Sequence, residues 1–138
     1  MKQSIELSWL KDMAFETEVN GHKIYLDAAE EHGGKNMGPR PKPFMMVALA
    51  GCTAMDVVSM LKKMRVDFES FDIKVEADMS EEHPKKYTAM KIIYLLKGKD
   101  IDRNKVEKAV NYSQDKYCGV SASYREVMKI SYEIQINE

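Results

Sequence analysis

The sequence predicts an α+β fold, an antiparallel-rich β-sheet wrapped around one long, buried central helix, and three observations predict it. Short segments that alternate apolar and polar residues lie at both ends of the chain. One apolar stretch of helical length lies between them, and Tyr87–Lys97 is apolar enough for a strand covered on both faces. The 138 residues are 44% hydrophobic, which suits a single domain over 1–138 whose core needs neither disulfide nor structural metal.

The first third reads as three short strands. Ile5, Leu7 and Trp9 alternate with polar neighbours, Met13 and Phe15 resume the alternation after Lys11-Asp12, and Ile24, Leu26 and Ala28 repeat it. Asn20-Gly21 between two such segments is the dipeptide of a two-residue type I′ hairpin, because both central residues there need positive φ. From Ala29 to Lys42 the periodicity dissolves into paired glycines and prolines. A loop of that length is expected to be either a site wall or a mobile connection.

Pro43–Arg65 follows as a helix of about 22 residues and roughly 33 Å, with proline at its start. It is apolar almost all round. Cys52, Asp56, Ser59 and Lys63 fall at spacings of 4, 3 and 4, which lines them up along one stripe. A helix this apolar cannot be covered by one small sheet, so a second copy of the chain is expected against it. Phe71–Met79 then alternates strictly, Tyr87–Lys97 reads as the central strand, and Asp102 caps a helix that ends at Tyr117, Cys118 and Gly119. A short helical turn over Val120–Glu126 and a last strand through Ile130, Tyr132, Ile134 and Ile136 complete the order.

Composition excludes several functions. Lys and Arg total 21 against 22 Asp and Glu, a formal charge of −1 with no basic block, which argues against a nucleic-acid surface. Asp56, Ser59, Lys62 and Lys63 break the apolar run of the long helix, so it is read as a buried helix and not a membrane span. The N-terminal ten residues alternate instead of forming an unbroken apolar region, which leads to the expectation of a cytoplasmic protein. His22, His32 and His83 fall in expected turns or loops without ligand spacing, and no metal site is expected.

Two cysteines remain as candidates for chemistry. Cys52 and Cys118 stand 66 positions apart, a separation that matches no zinc motif, and in a reducing compartment they start as thiols. Cys52 lies about nine residues into its helix, beyond the reach of the helix dipole, and Asp56 one turn later disfavours its thiolate. Activation therefore calls for a cation from elsewhere, with Lys35, Arg40, Lys42 and Arg125 as candidates. Cys118, beside a polar SAS turn, is expected to be the more accessible of the two. A core role for Cys52, and a hydrogen-bonding role for Asp56, stay open at this point.

The combination resembles a family. Pro41–Cys52 with its ALAGC tail, the continuation TAMDVVSMLKKM, and KVEKAVNYSQDKYCGVSAS around Cys118 resemble the two cysteine-bearing helices of the OsmC/Ohr family. The likeness is to its YhfA-like branch, in which a GC-S/T-A-x-DVVSxL helix and a LSxEKYCxV helix end recur. The resemblance implies an OsmC-like intertwined homodimer and a two-cysteine peroxidase that reduces organic hydroperoxides in the oxidative stress response. Carried onto this chain, Cys52 is the attacking thiolate that becomes sulfenic acid. Cys118 is the resolving thiol, and a dithiol reductant restores the pair without metal, flavin or other cofactor. The chain departs from the family's pattern where Lys42 occupies the place of a glutamate, and where no arginine precedes Arg40. The alternative is a non-catalytic dimer that binds an apolar small molecule.

Overall fold

The computed structural model describes residues 1–138, which divide into two compact units, 1–44 and 45–138. In the first unit β1 (Leu7–Lys11), β2 (Ala14–Val19) and β3 (His22–Leu26) form an antiparallel meander. Asn20 and Gly21 join β2 to β3 with φ of 51° and 81°, and Val19 pairs with His22, the expected hairpin. His22 thus opens a strand instead of lying in a turn. The apolar side chains of β1 stay open, Trp9 at 64% exposure, so alternation there marks a strand without marking a buried face.

The long loop of this unit is tied down. A 3₁₀ turn spans Glu30–His32, and the buried carboxylate of Asp27 accepts the amides of Ala28 at 2.7 Å and of Lys35 and Met37 at 3.1 Å. The chain passes so close to itself that a Cβ at Gly34 would overlap the Ala28 carbonyl, which leaves room for glycine alone.

The second unit opens with α1 (Phe44–Lys63) and carries a three-stranded sheet of β4 (Ser70–Met79), β5 (Tyr87–Lys97) and β6 (Lys129–Asn137). β4 runs antiparallel to the central β5, and β6 pairs parallel to it. A parallel neighbour cannot be reached by a hairpin, and the crossover from β5 to β6 contains α2 (Arg103–Tyr112), a π turn (Ser113–Tyr117) and α3 (Gly119–Arg125).

Leu49, Thr53, Val57 and Leu61 form the fully buried stripe of α1, at the i, i+4 spacing that keeps one helix face in register. Leu49, Val57 and Leu61 join Met90, Ile92, Tyr94 and Leu96 of β5 and Val106, Ala109 and Val110 of α2 in one core. By length and composition alone α1 could cross a membrane, but this stripe is packed inside the protein, and the helix is the core helix of its unit. Its opposite side is open, with Val47 at 63% and Met55 at 77% exposure, so within one chain it is buried along one side only. α1 stops in a Schellman turn: the Arg65 amide bonds the Lys62 carbonyl, the Val66 amide bonds the Leu61 carbonyl, and Arg65 takes φ 58°.

Candidate active site

Cys52 is the ninth residue of α1 and Asp56 stands one turn further on. Cys118 comes from the crossover: it follows the π turn, its amide closing that turn on the Ser113 carbonyl at 2.8 Å, and it caps α3. The Cys52 and Cys118 sulfurs and a carboxylate oxygen of Asp56 all lie within 4.8 Å of one another. Two thiols 66 positions apart are therefore neighbours.

Their surroundings differ. Cys118 is 3% exposed and Cys52 half-buried, the reverse of the accessibility expected from the SAS turn, because Cys118 packs into the buried core and Ser121 of that turn is bonded to its sulfur. The Ser121 amide and hydroxyl donate to the Cys118 sulfur at 3.4 and 3.2 Å. Burial pushes the Cys52 thiol above its ordinary pKa, and the Cys118 thiol and the Asp56 charge add to the rise. The backbone N–H of Val120, which favours the thiolate, opposes them.

Of the expected candidate cations, Arg125 donates through its guanidinium to the backbone carbonyl and the side-chain oxygen of Gln114. In the other unit, the guanidinium of Arg40 donates to the Gly38 carbonyl and the Asn36 side chain. The Lys35 amide binds Asp27, and Lys42 is half-buried. A carboxylate oxygen of Asp56, from the stripe already visible in the sequence, lies beside the two sulfurs.

Behind the thiols lies a network that sequence reasoning missed. Thr53 Oγ1 is 2.6 Å from the Tyr94 hydroxyl and 2.7 Å from Ser113 Oγ, and Ser113 donates to Asp56 Oδ2 at 2.9 Å. Gln114 Nε2 donates to Thr53 and to Tyr94 at 3.2 and 3.1 Å. The proton directions follow from the carboxylate at one end. Ser113 has one proton and gives it to Asp56, so Thr53 donates to Ser113 and Tyr94 to Thr53. Burial of Tyr94 pushes its phenol up to about 12, which keeps it a donor. The available signal was Ser113 recurring at helical spacing with Val106, Ala109 and Val110, a polar residue in a core position.

The comparisons with known proteins agree with this architecture. Residues 33–133 match the family model described as OsmC-like protein. Protein YhfA of Escherichia coli strain K12 is 30% identical over 131 residues, which cover 94% of this chain and 95% of that protein. A hypothetical protein from Aquifex aeolicus VF5 superposes with a TM-score of 0.82 at 28% identity, covering 100% of this chain and 99% of the other. The organic hydroperoxide resistance protein OhrB of Bacillus subtilis shares the fold, with a TM-score of 0.65 at 15% identity over 96% of this chain and 98% of its own. With the family model spanning both cysteines and most of the chain, the protein belongs to the OsmC-like family.

Proposed function

We propose that the protein is a thiol-dependent reductase of organic hydroperoxides, with Cys52 as the attacking residue and Cys118 as the resolving one. The observation that carries the reading is the approach of the two sulfurs to within 4.8 Å, the half-buried Cys52 being the one open to a substrate. The name of the Bacillus subtilis neighbour, organic hydroperoxide resistance protein, supports the substrate class.

The Cys52 thiol gives up its proton, and the thiolate attacks the outer oxygen of ROOH. The O–O bond breaks, RO⁻ leaves and takes a proton as the alcohol, and Cys52 becomes sulfenic acid. The Cys118 thiolate then attacks that sulfur, an S–S bond forms and water departs. A dithiol returns both thiols and is itself oxidised to a disulfide, a cycle suited to a reducing cytoplasm. The Asp56 carboxylate, steadied by Ser113, is the base at hand for the Cys52 proton.

The working unit in this reading is a homodimer. The side of α1 that carries Val47 and Met55 is apolar and open, and a second copy is the cover its composition suits. Light scattering on the purified chain reads twice the monomer mass if so.

A second reading, a non-catalytic dimer that takes up an apolar small molecule, is favoured by the raised pKa of Cys52 and by Lys42 standing where the family has glutamate. One experiment separates them. On the peroxidase reading, one equivalent of cumene hydroperoxide consumes both thiols of the reduced chain, Cys52→Ser abolishes turnover, and Cys118→Ala leaves a sulfenic acid that dimedone traps. An unchanged thiol titre would reject that reading.

A further inference from the structure

The same three side chains carry a reading that does not depend on the redox one. We propose that Cys52, Asp56 and Cys118 form a three-ligand site for one thiophilic divalent cation of the Zn²⁺ class. Tetrahedral zinc holds thiolates at about 2.3 Å and carboxylate oxygen at about 2.0–2.2 Å, which sets ligand atoms about 3.6–3.8 Å apart. The two sulfurs and the oxygen already lie within 4.8 Å of one another. Closing on a cation therefore asks for shifts of about 1 Å, within the reach of side-chain rotation.

The donor set selects the ion. Two sulfurs are too soft, and one carboxylate is too few, for magnesium or calcium, which take cages of oxygen. The carboxylate makes the set harder than the all-sulfur environment that suits monovalent copper, and a borderline divalent ion fits the mixture. Three protein ligands leave a fourth position of the tetrahedron for water, and Cys52, the less buried of the two thiols, is the ligand nearest solvent.

The surroundings are those of a built site. Ser113 donates to Asp56 Oδ2 at 2.9 Å, the Ser121 amide and hydroxyl donate to the Cys118 sulfur, and the Val120 amide reaches Cys52. Each ligand thus has an outer partner that fixes its orientation, and those partners also offset the negative charge of two thiolates and a carboxylate. Neither the sequence separation of the cysteines nor the placement of the histidines announces such a site, because α1 and the crossover supply its ligands from distant segments. A bound cation occupies both sulfurs, so metal and hydroperoxide compete for one pair.

The test is zinc binding by the reduced, metal-free chain, measured without peroxide by competition against a chromophoric chelator and repeated with Co²⁺ for its thiolate charge-transfer band. Expected are one ion per chain, protection of both thiols from alkylation, and a charge-transfer band lost in Cys52→Ser and in Cys118→Ser. Asp56→Asn keeps both sulfurs and loses at least tenfold in affinity, while circular dichroism checks that each variant is folded. Zinc uptake by the wild type no greater than that of the folded Cys52→Ser/Cys118→Ser double variant overturns the proposal, as does an affinity unmoved by Asp56→Asn. Because no hydroperoxide enters these measurements, the outcome is independent of the peroxidase reading.

Discussion

Ser113 holds Asp56 by a hydroxyl hydrogen bond of 2.9 Å that joins the first residue of the π turn to the flank of α1. The bond sets the direction of every hydroxyl behind it, back through Thr53 to Tyr94, and turns a carboxylate oxygen toward two sulfurs.

Thr53 is the middle of that relay, and Thr53→Val removes its hydroxyl while keeping its shape. Tyr94, Ser113 and Gln114 then each lose a buried partner, and a net loss of about 1–3 kcal/mol is expected. Thr53→Ser, which restores the hydroxyl and drops one methyl, costs about 1 kcal/mol. Urea unfolding of the two variants checks the order; a smaller loss in Thr53→Val than in Thr53→Ser would mean that the packing of the methyl, not the relay, holds the site.

Cys52 is predicted to alkylate slowly at neutral pH. Only the thiolate reacts, and burial holds the thiol above its ordinary pKa of about 9, so the iodoacetamide rate rises about tenfold per pH unit to beyond pH 9. Peptide-resolved mass spectrometry follows Cys52 separately from the buried Cys118. A rate that levels off below pH 8 contradicts the prediction.

Tyr94 makes stability depend on alkaline pH. Its folded pKa of about 12 lies above the ordinary value of 10.0, so the fold favours the neutral phenol. The stabilisation is complete below pH 10 and is lost as pH rises from 10 through 12, about 3 kcal/mol for two pKa units. Tyr94→Phe cannot ionise there and is expected to flatten this part of the profile, measured as chemical unfolding midpoints at pH 9 and pH 11.5.

Asp27 sets the opposite dependence in the first unit. The Met37 amide, aided by those of Ala28 and Lys35 and by the Arg40 charge, outweighs burial and holds its carboxyl below the usual range. Its contribution is present above the ordinary pKa of about 3.9 and is lost as pH falls through the lower folded value. Hydrogen exchange at the Lys35 and Met37 amides is expected to quicken in Asp27→Asn at neutral pH, where the wild type stays protected.

Most elements could be read from periodicity, because the packing that periodicity reports is local to each element. Phe71–Met79 alternates and is β4 but for one residue, Tyr87–Lys97 coincides with β5 at the sheet centre, and Asp102 accepts the Asn104 amide as the cap of α2. Where a face is left open, as at Trp9 and Met55, periodicity gives the element and not its burial. The thiol pair was legible through the two cysteine motifs, and the structure brings the two together. The network of Thr53, Tyr94, Ser113 and Gln114 was not: periodicity marks Ser113 as a core position without naming its partners, which lie 20 to 61 positions away. The direction of the accessibility difference was likewise invisible, because it depends on Cys118 packing into a core built from distant segments.

Cys118 also begins a helix. Its sulfur accepts the Ser121 amide, the service usually rendered by a serine or aspartate oxygen at that position. Any bond that draws on those lone pairs unties the first winding of α3, so the electronic state of one sulfur is spelled out in the backbone three residues downstream. A nuclear magnetic resonance signal from the Ser121 amide proton would then serve as a built-in gauge of what has happened at the thiol.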